Sequence, residues 1–399
     1  MTTLPLDHIR TLANDLKPQL VAWRRDFHQH PETGFKEFRT AAIVAEHLRS
    51  LGLEVETNVG KTGVVALLRG KQPGPTIGLR ADMDALPIQD EKSVIYCSKH
   101  PGTAHLCGHD AHTSMLMGAA QLLTKLGQPE KGNIKFIFQP AEEGLAGAKA
   151  MIDDGLLENP KVDAVAGLHV FPRLSTGRFS VTNGDAFASA DAIEITIIGK
   201  GGHAARPHET VDAIAVSAQV ISALQHIASR LIDPLEPVVV TIGKIEGGSM
   251  GTAIASEVKM TGTVRTLSAS VRKQIPELLH QVIGGITQSF GAEYKLNFGM
   301  GYPVVHNNEE MVRLFATTSE LLFKEKRWEY VKPSTGGEDF AFYAERVPGV
   351  FFRLGASNDQ ADTRYPLHHP KFDLDEEALP LGTAMLSAMA LSYLNQTTN

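Results

Sequence analysis

The sequence predicts an α/β protein in which a larger α/β domain is interrupted by a smaller α+β insert. Three observations carry this. The first part of the chain alternates short β-like runs with helical periods, the pattern of a sheet with helices on its faces. Near residue 186 the pattern changes to one β-α-β-β-α-β order, that of a split βαβ, ferredoxin-like unit. Beyond about residue 300 the chain turns helical again and can rejoin the first layer. The expected division is 1–186 with 301–399 as one discontinuous domain and 187–300 as the insert. A chain of 399 residues has room for about two such domains.

The elements follow in order. "HIRTLANDLKPQLVAWRRDFHQH" has apolar residues at three- and four-residue spacing and reads as a helix; "TAAIVAEHLRSLGL" reads as a second, closed by Gly52. "TGVVALLRG", "TIGLRADMD", "NIKFIFQPAEE" and "VDAVAGLHV" are short β-like runs, with the helical "HTSMLMGAAQLLTKL" between the second and third. In the insert, "SADAIEITIIGKG" alternates as a half-buried strand and "DAIAVSAQVISALQHIASRL" is a helix. "PVVVTIGKIEGG" and "EVKMTGTVRTL" are strands, "SVRKQIPELLHQVIGGITQSF" a helix and "AEYKLNFGMGYP" a strand. "NNEEMVRLFATTSELLF" and "EEALPLGTAMLSAMALSYL" are the closing helices. No internal repeat or low-complexity segment is present.

Composition narrows the function. Hydrophobic residues are 43% and charged residues 21% of the chain, as in globular proteins. A net charge of -7 argues against a nucleic-acid binder, which would show a basic face. Two cysteines, Cys97 and Cys107, form no disulfide framework, so a reducing, cytoplasmic compartment is expected. No apolar run of signal-peptide or membrane-span length occurs, and no membrane partner is expected.

Chemistry-bearing residues follow the strands. Arg80, Asp82 and Asp84 come just after one apolar run, Glu142 and Glu143 after another, and His169 after a third. Open α/β sheets gather ligands outside the carboxyl ends of their strands. "HLCGHDAH" (105–112) falls in a loop before a helix, with Asp110 as a plausible N-cap. Cys107 and His109 are two apart, so one loop can aim both inward, and thiolate and imidazole suit zinc and similar ions. A Cys–His nucleophile is the other functional reading. The bland readings are a structural thiol, structural histidines and a solvated Glu-Glu turn. Cys97 reads as an inert core or loop thiol, His105 and His112 as local hydrogen-bond partners, and Glu338 and Asp339 as cap or pocket residues at a helix start.

Taken together, "RRDFHQHPETGFKEFRTA", "GLRADMDALPI", "CGHDAHTSMLMGAA", "FQPAEEGLAGAKAM", "GLHV", "GKGGHAARPHETVDAI", "STGGEDFAFY" and "LHHPKFD" resemble the amidohydrolase branch of the M20 metallopeptidases. That branch includes aminoacylases, hippurate hydrolases and plant auxin-conjugate hydrolases. The resemblance runs from about residue 20 to the C-terminus. It implies a zinc-peptidase-like catalytic domain with a lid and dimerisation insert, and a two-metal hydrolase. The metal ligands would be Cys107, His109, Glu143, His169 and His368, the last chosen over His369 by the pattern Leu-His-x-Pro. Glu142 would be the general base for the attacking water, His203 would assist at the developing oxyanion, and Asp82 would orient a ligand from behind it. The ions would be two divalent cations, zinc or else manganese, cobalt or nickel.

One departure stands out. Where the family commonly has asparagine-valine-isoleucine-proline-aspartate after a Gly-Gly pair, this chain reads "GGSMGTAIASEV", with Thr252 at the asparagine place and Ala255 at the proline place; Arg265, expected to bind substrate, is retained. The leading expectation is hydrolysis of the amide bond of N-acyl amino acids. A dipeptidase or carboxypeptidase of the same chemistry is the alternative, and a metal-binding homologue without activity is a third reading that the presence of Glu142 opposes. Sister families that cleave peptides or carbamoyl groups carry His-x-Asp where this chain has Arg80-Ala81-Asp82, which favours the acylase branch. The substrate would be a small N-acyl amino acid or short peptide, and the assembly a homodimer or homotetramer.

Overall fold

The computed structural model describes residues 4–359 and 361–396. In chain order the strands are β1 (Glu54–Val59), β2 (Gly63–Arg69), β3 (Gln72–Asp82), β4 (Lys131–Gln139), β5 (Ala164–Ser175), β6 (Phe179–Val181), β7 (Gly184–Phe187) and β8 (Ala190–Ile198). They continue with β9 (Gly202–His203), β10 (Val238–Gly247), β11 (Ala253–Ile254), β12 (Glu257–Thr266), β13 (Glu293–Tyr302), β14 (Val305–Asn307), β15 (Trp328–Tyr330) and β16 (Gly349–Ser357). The chain divides into two compact units. The first comprises Met1–Gly184, His306–Lys332 and Asp339–Asn399; the second comprises Asp185–Val305 and Pro333–Glu338.

The first unit is a mixed α/β layer around an eight-stranded sheet of order β1-β2-β4-β3-β5-β16-β6-β15. Its middle is parallel, β4 with β3, β3 with β5 and β5 with β16, and the β1–β2 hairpin joins antiparallel at β4. "IKFIF" and "GVFFRLGAS" are nearly continuous apolar runs, as expected of strands covered on both faces. The covering helices His109–Leu126 and Ala378–Gln396 are buried almost all round, and Leu20, Met115, Met385 and Phe352 share one core. The single N-terminal helix expected from the sequence is two, Leu6–Asp15 and Lys17–Gln29. Pro18 sits in the first turn of the second, where its missing N–H costs nothing.

The second unit is the ferredoxin-like element, an antiparallel sheet of order β10-β12-β8-β13. The alternation of β8 turns Ile193, Ile195 and Ile197 toward the helices Ala213–His226 and Ala269–Phe290. Asp212 and Ser268 cap those helices through their side chains. Among the described residues, no helix is long and apolar enough to cross a membrane.

Candidate metal centre

Parallel strands bring the polar residues of the first unit to one edge of its sheet. Asp82 closes β3 in register with Gln139, the last residue of β4. After Gln139 the chain makes a turn whose backbone is unusual. Ala141 and Ala146 lie in the left-handed region at φ 54° and 58°, and Gly144 at 83°. A non-glycine residue there costs about 1–2 kcal/mol, and such strain collects at functional sites. Glu142 and Glu143 stand on this turn. His169 lies within β5, which runs on to Ser175, rather than past the end of its strand as the sequence suggested. Gly108, between Cys107 and His109, has φ 97°, and a Cβ there would come within 2.3 Å of Val170 Cγ2. Only glycine lets this loop press against β5.

Cys107 sits at the centre of a cluster. Its Sγ is 3.4 Å from His169 Nε2 and 3.3 Å from His368 Nε2, and His368 Nε2 is 3.3 Å from Glu143 Oε1. The ligand atoms of Cys107, His109 and His169 lie within 4.8 Å of one another, and so do those of Cys107, Glu143 and His368, and of His109, Glu142 and Glu143. The thiol thus belongs to two triplets at once. The neighbouring His369 instead stacks on Tyr365, ring centroids 4.4 Å apart. Among the described residues, two buried atoms of the cluster make no hydrogen bond of good geometry: His109 Nε2, and Glu143 Oε1 despite its ion-pair approach to His368. Buried polar atoms are rarely left so, and here the chemistry of the donors fits a divalent cation.

A second layer aims the first. His109 Nδ1 donates to the backbone carbonyl of Asp84 at 2.8 Å, which leaves Nε2 for the cluster. The Asp84 carboxylate accepts the backbone N–H groups of both Glu142 and Glu143 at 3.0 Å. His112 Nε2 accepts from Val170 N at 2.9 Å, so its proton is on Nδ1 and goes to Asp82 at 2.6 Å. Asp82 also binds Arg80 at 2.7 Å and stands 3.7 Å from His109 Nε2. Arg80, itself buried, reaches on to Gln139 and Asp339. Asp339 further accepts from Ala148 N, so it is a buried anchor of the Gly147–Asp153 helix.

Charge explains what the cluster can do. Burial, reinforced by Glu143, Glu142 and Asp82, pushes the Cys107 thiol well above its usual range. A nucleophilic cysteine needs the opposite shift. Burial opposes charge on His109, but Asp82, Asp84 and Glu143 outweigh it and lift the imidazole to about 10. Asp82 is held well below the carboxylate range against its burial by His109, Arg80 and His112. The surrounding carboxylates thus favour a proton on Cys107 and on His109, and a bound cation would take the place of those protons.

Two expectations are corrected. Asp110 does not cap the His109–Leu126 helix; Gly108 precedes it, and Asp110 lies inside the first turn with Oδ2 bonded to Arg24 at 2.9 Å and His28 at 2.7 Å. His105 is buried, yet among the described residues neither of its ring nitrogens has a hydrogen-bond partner, and burial drops it to about 3. Cys97 is a partly exposed loop thiol. His203 and Arg265 belong to the second unit. His203 is exposed on β9, which pairs with β11 through Ala253, and its Nδ1 accepts from Ala205 N at 3.0 Å. Its Nε2–H is therefore free to donate. Thr252, at the altered position, accepts from Ala204 N through its carbonyl at 3.1 Å. The Arg265 guanidinium bonds back to Thr263 Oγ1 and the Val264 carbonyl. Asp84 and Glu37 act on the turn without having been singled out as site residues; Glu37 Oε1 accepts from Ala141 N at 2.8 Å.

The chain is similar to known proteins in both sequence and fold. The sequence profile of peptidase family M20/M25/M40 matches residues 78–392. An N-acyl-L-amino acid amidohydrolase of Geobacillus stearothermophilus is 43% identical over 305 residues, covering 76% of this chain and 82% of that one. Thermostable carboxypeptidase 2 of Saccharolobus solfataricus is 38% identical over 403 residues, covering 98% and 100%. The crystal structure of a dinuclear metal-binding M20 peptidase of Bacillus subtilis superposes with a TM-score of 0.84 at 34% identity, covering 96% and 99%. Peptidases and amidohydrolases alike split amide bonds, and this chain is a hydrolase of that class, a member of peptidase family M20/M25/M40.

Proposed function

We propose that the protein is a metal-dependent amidohydrolase that cleaves the amide bond of N-acyl amino acids. The observation that carries this is the position of the Cys107 thiol in two ligand triplets at once. In this reading Cys107, His109, His169, Glu143 and His368 would hold two divalent cations, with Cys107 belonging to both groups of donors. Bound there, the cations would polarise the scissile carbonyl and lower the pKa of the attacking water. Glu142, on the same strained turn but outside both triplets, takes the proton of that water and returns it to the leaving amine. Asp84 fixes the turn and His109 together, and Asp82 acts through His112 and Arg80. His203 donates from Nε2 to the carbonyl oxygen as charge develops, in its own chain or across a dimer, when the second unit closes as a lid. Arg265 contacts the substrate once released from its own strand.

Zinc is the first choice for a site with thiolate and imidazole, with manganese, cobalt and nickel as competitors. A cytoplasmic homodimer or homotetramer completes the reading. The N-acyl preference is supported by Arg80 at the place where peptide-cleaving sister families carry histidine, and by the Geobacillus relative. The Saccharolobus relative favours a carboxypeptidase as the second reading. The test is amine release from N-acetyl and N-benzoyl amino acids against dipeptides, after chelation and after return of each metal. Turnover of dipeptides alone replaces the first reading by the second, and turnover unaffected by chelation rejects both.

A further inference from the structure

We propose that Glu37 is a positioning residue for Glu142, fixing from the start of the Phe38–Ser50 helix the backbone turn on which the base stands. The inference rests on the reading of Glu142 as general base.

Glu37 is 0% exposed, and both of its oxygens are spoken for. Oε1 accepts from Ala141 N at 2.8 Å, and Oε2 accepts from Thr62 Oγ1 at 2.5 Å. Thr62 is itself buried. Ala141 is the left-handed residue that immediately precedes Glu142, and the next two N–H groups, of Glu142 and Glu143, go to Asp84. Three consecutive N–H groups are thus held by two buried carboxylates that come from outside the turn. The segment around Glu37 also backs the turn sterically, since a Cβ on Gly34 would lie 3.1 Å from Ala141 Cα.

A buried carboxylate spent on two neutral donors is an expensive way to fill space; an apolar residue would do so at less cost. What it secures is a backbone conformation that alanine does not favour by itself. Asp84 is unsuitable as a probe of this, because it also holds Glu143 and His109. Among the described residues, the Glu37 carboxyl bonds to Ala141 and Thr62 and not to Cys107, His109, Glu143, His169 or His368, so it can be perturbed apart from the metal ligands. Shortening it would release Ala141 N–H, let the residue leave the left-handed region, and carry the Glu142 carboxylate with it. A displacement of about 1 Å is enough to cost on the order of 10²-fold in turnover.

The experiment uses the metal-loaded full chain and an N-acetyl amino acid, with kcat, KM and bound metal measured for Glu37→Asp and Glu37→Gln, each alone and combined with Glu142→Gln. Glu37→Asp keeps the carboxyl group but withdraws it, and should lower kcat by roughly 10- to 100-fold with KM and metal content within about twofold. Glu37→Gln keeps an acceptor for Ala141 N–H and should hold kcat within about threefold of the parent. In the Glu142→Gln background, Glu37→Asp should cause no further loss, since its effect passes through the missing base. A full additive loss in that background, loss of metal, or an unchanged kcat in Glu37→Asp overturns the proposal while leaving the base reading intact. Undiminished turnover in Glu142→Gln alone sinks the base reading, and the role of Glu37 with it. If Glu37→Asp fails to fold, Thr62→Val removes only the hydroxyl donor. It should then show the same kcat-only signature at a few-fold amplitude, and an unchanged kcat would overturn the proposal.

Discussion

Replacing Cys107 by alanine should empty both cation positions at once. Its Sγ lies 3.4 Å from His169 Nε2 and 3.3 Å from His368 Nε2, and it is the one atom common to the triplets with His109 and His169 and with Glu143 and His368. Removing it leaves two donors in each triplet, whereas His169→Ala or His368→Ala leaves one triplet whole. After identical dialysis, the parent should retain about two ions per chain, either histidine variant about one, and Cys107→Ala almost none. The substitution deletes a single buried sulfur, worth on the order of 1 kcal/mol of packing, so unfolding should not be the cause. Comparing thermal unfolding of Cys107→Ala with that of the chelated parent checks this, and the two should agree closely. Metal analysis of the dialysed proteins is the main assay. Retention of both ions by a Cys107→Ala protein that no longer turns over would refute the shared-ligand reasoning and return the thiol to the role of nucleophile.

Three further outcomes are expected. Glu142→Gln should keep its metal and its KM while kcat falls about 10²- to 10⁴-fold, and a drop smaller than tenfold points to another base. His203→Ala should cut kcat with metal content unchanged; mixing its subunits with those of Glu142→Gln restores activity only if His203 acts across a dimer, and an unaltered kcat in the single variant leaves it a turn residue. Burial lifts Glu37 to about 7 from an ordinary 4.5, so the folded chain holds that proton more tightly than the unfolded one. Its stabilising contribution is present in full below about pH 4.5 and fades as the pH rises through 7, a change of about 3 kcal/mol. Denaturant unfolding of Glu37→Gln against the parent should therefore shift in favour of the variant between about pH 5 and about pH 8, and a gap that ignores pH contradicts the assignment.

Much of the site could be read from the sequence because its residues carry rare chemistry in short, recognisable spacings. "CGHDAH" combines donors that ordinary loops seldom do, whereas "AEEG" is weak alone and gains meaning only beside the other motifs. Asp84 was visible as a carboxylate after a strand, but nothing in the sequence shows that it binds backbone N–H groups 58 and 59 residues further on. Glu37 was hidden for the same reason, since its partner is a main-chain group that carries no sequence mark. His105 looked like its neighbours, but among the described residues its buried ring nitrogens meet no hydrogen-bond partner, and no sequence pattern marks that. In the fold, the alternating strands of the second unit were the plainest signal, because one covered face imposes a period of two. The strand "GVFFRLGAS" carries no such signal. Covered on both faces, it has no alternation, and only the Pro348-Gly349 boundary and its length distinguish it from a buried helical piece.

That strand has a bearing on how the molecule comes into being. β16 is made from residues 349–357, yet it lies between β5 and β6 near the middle of the sheet. A chain emerging residue by residue from the ribosome has β5 and β6 ready long before the strand that must separate them. The second unit, nearly all of it within Asp185–Val305, can finish while the first still holds a gap at its centre. His368 arrives later still. Until both have been made, the nascent protein is an incomplete sheet with a polar cluster lacking one of its donors, and its chemistry waits on those two late-arriving pieces.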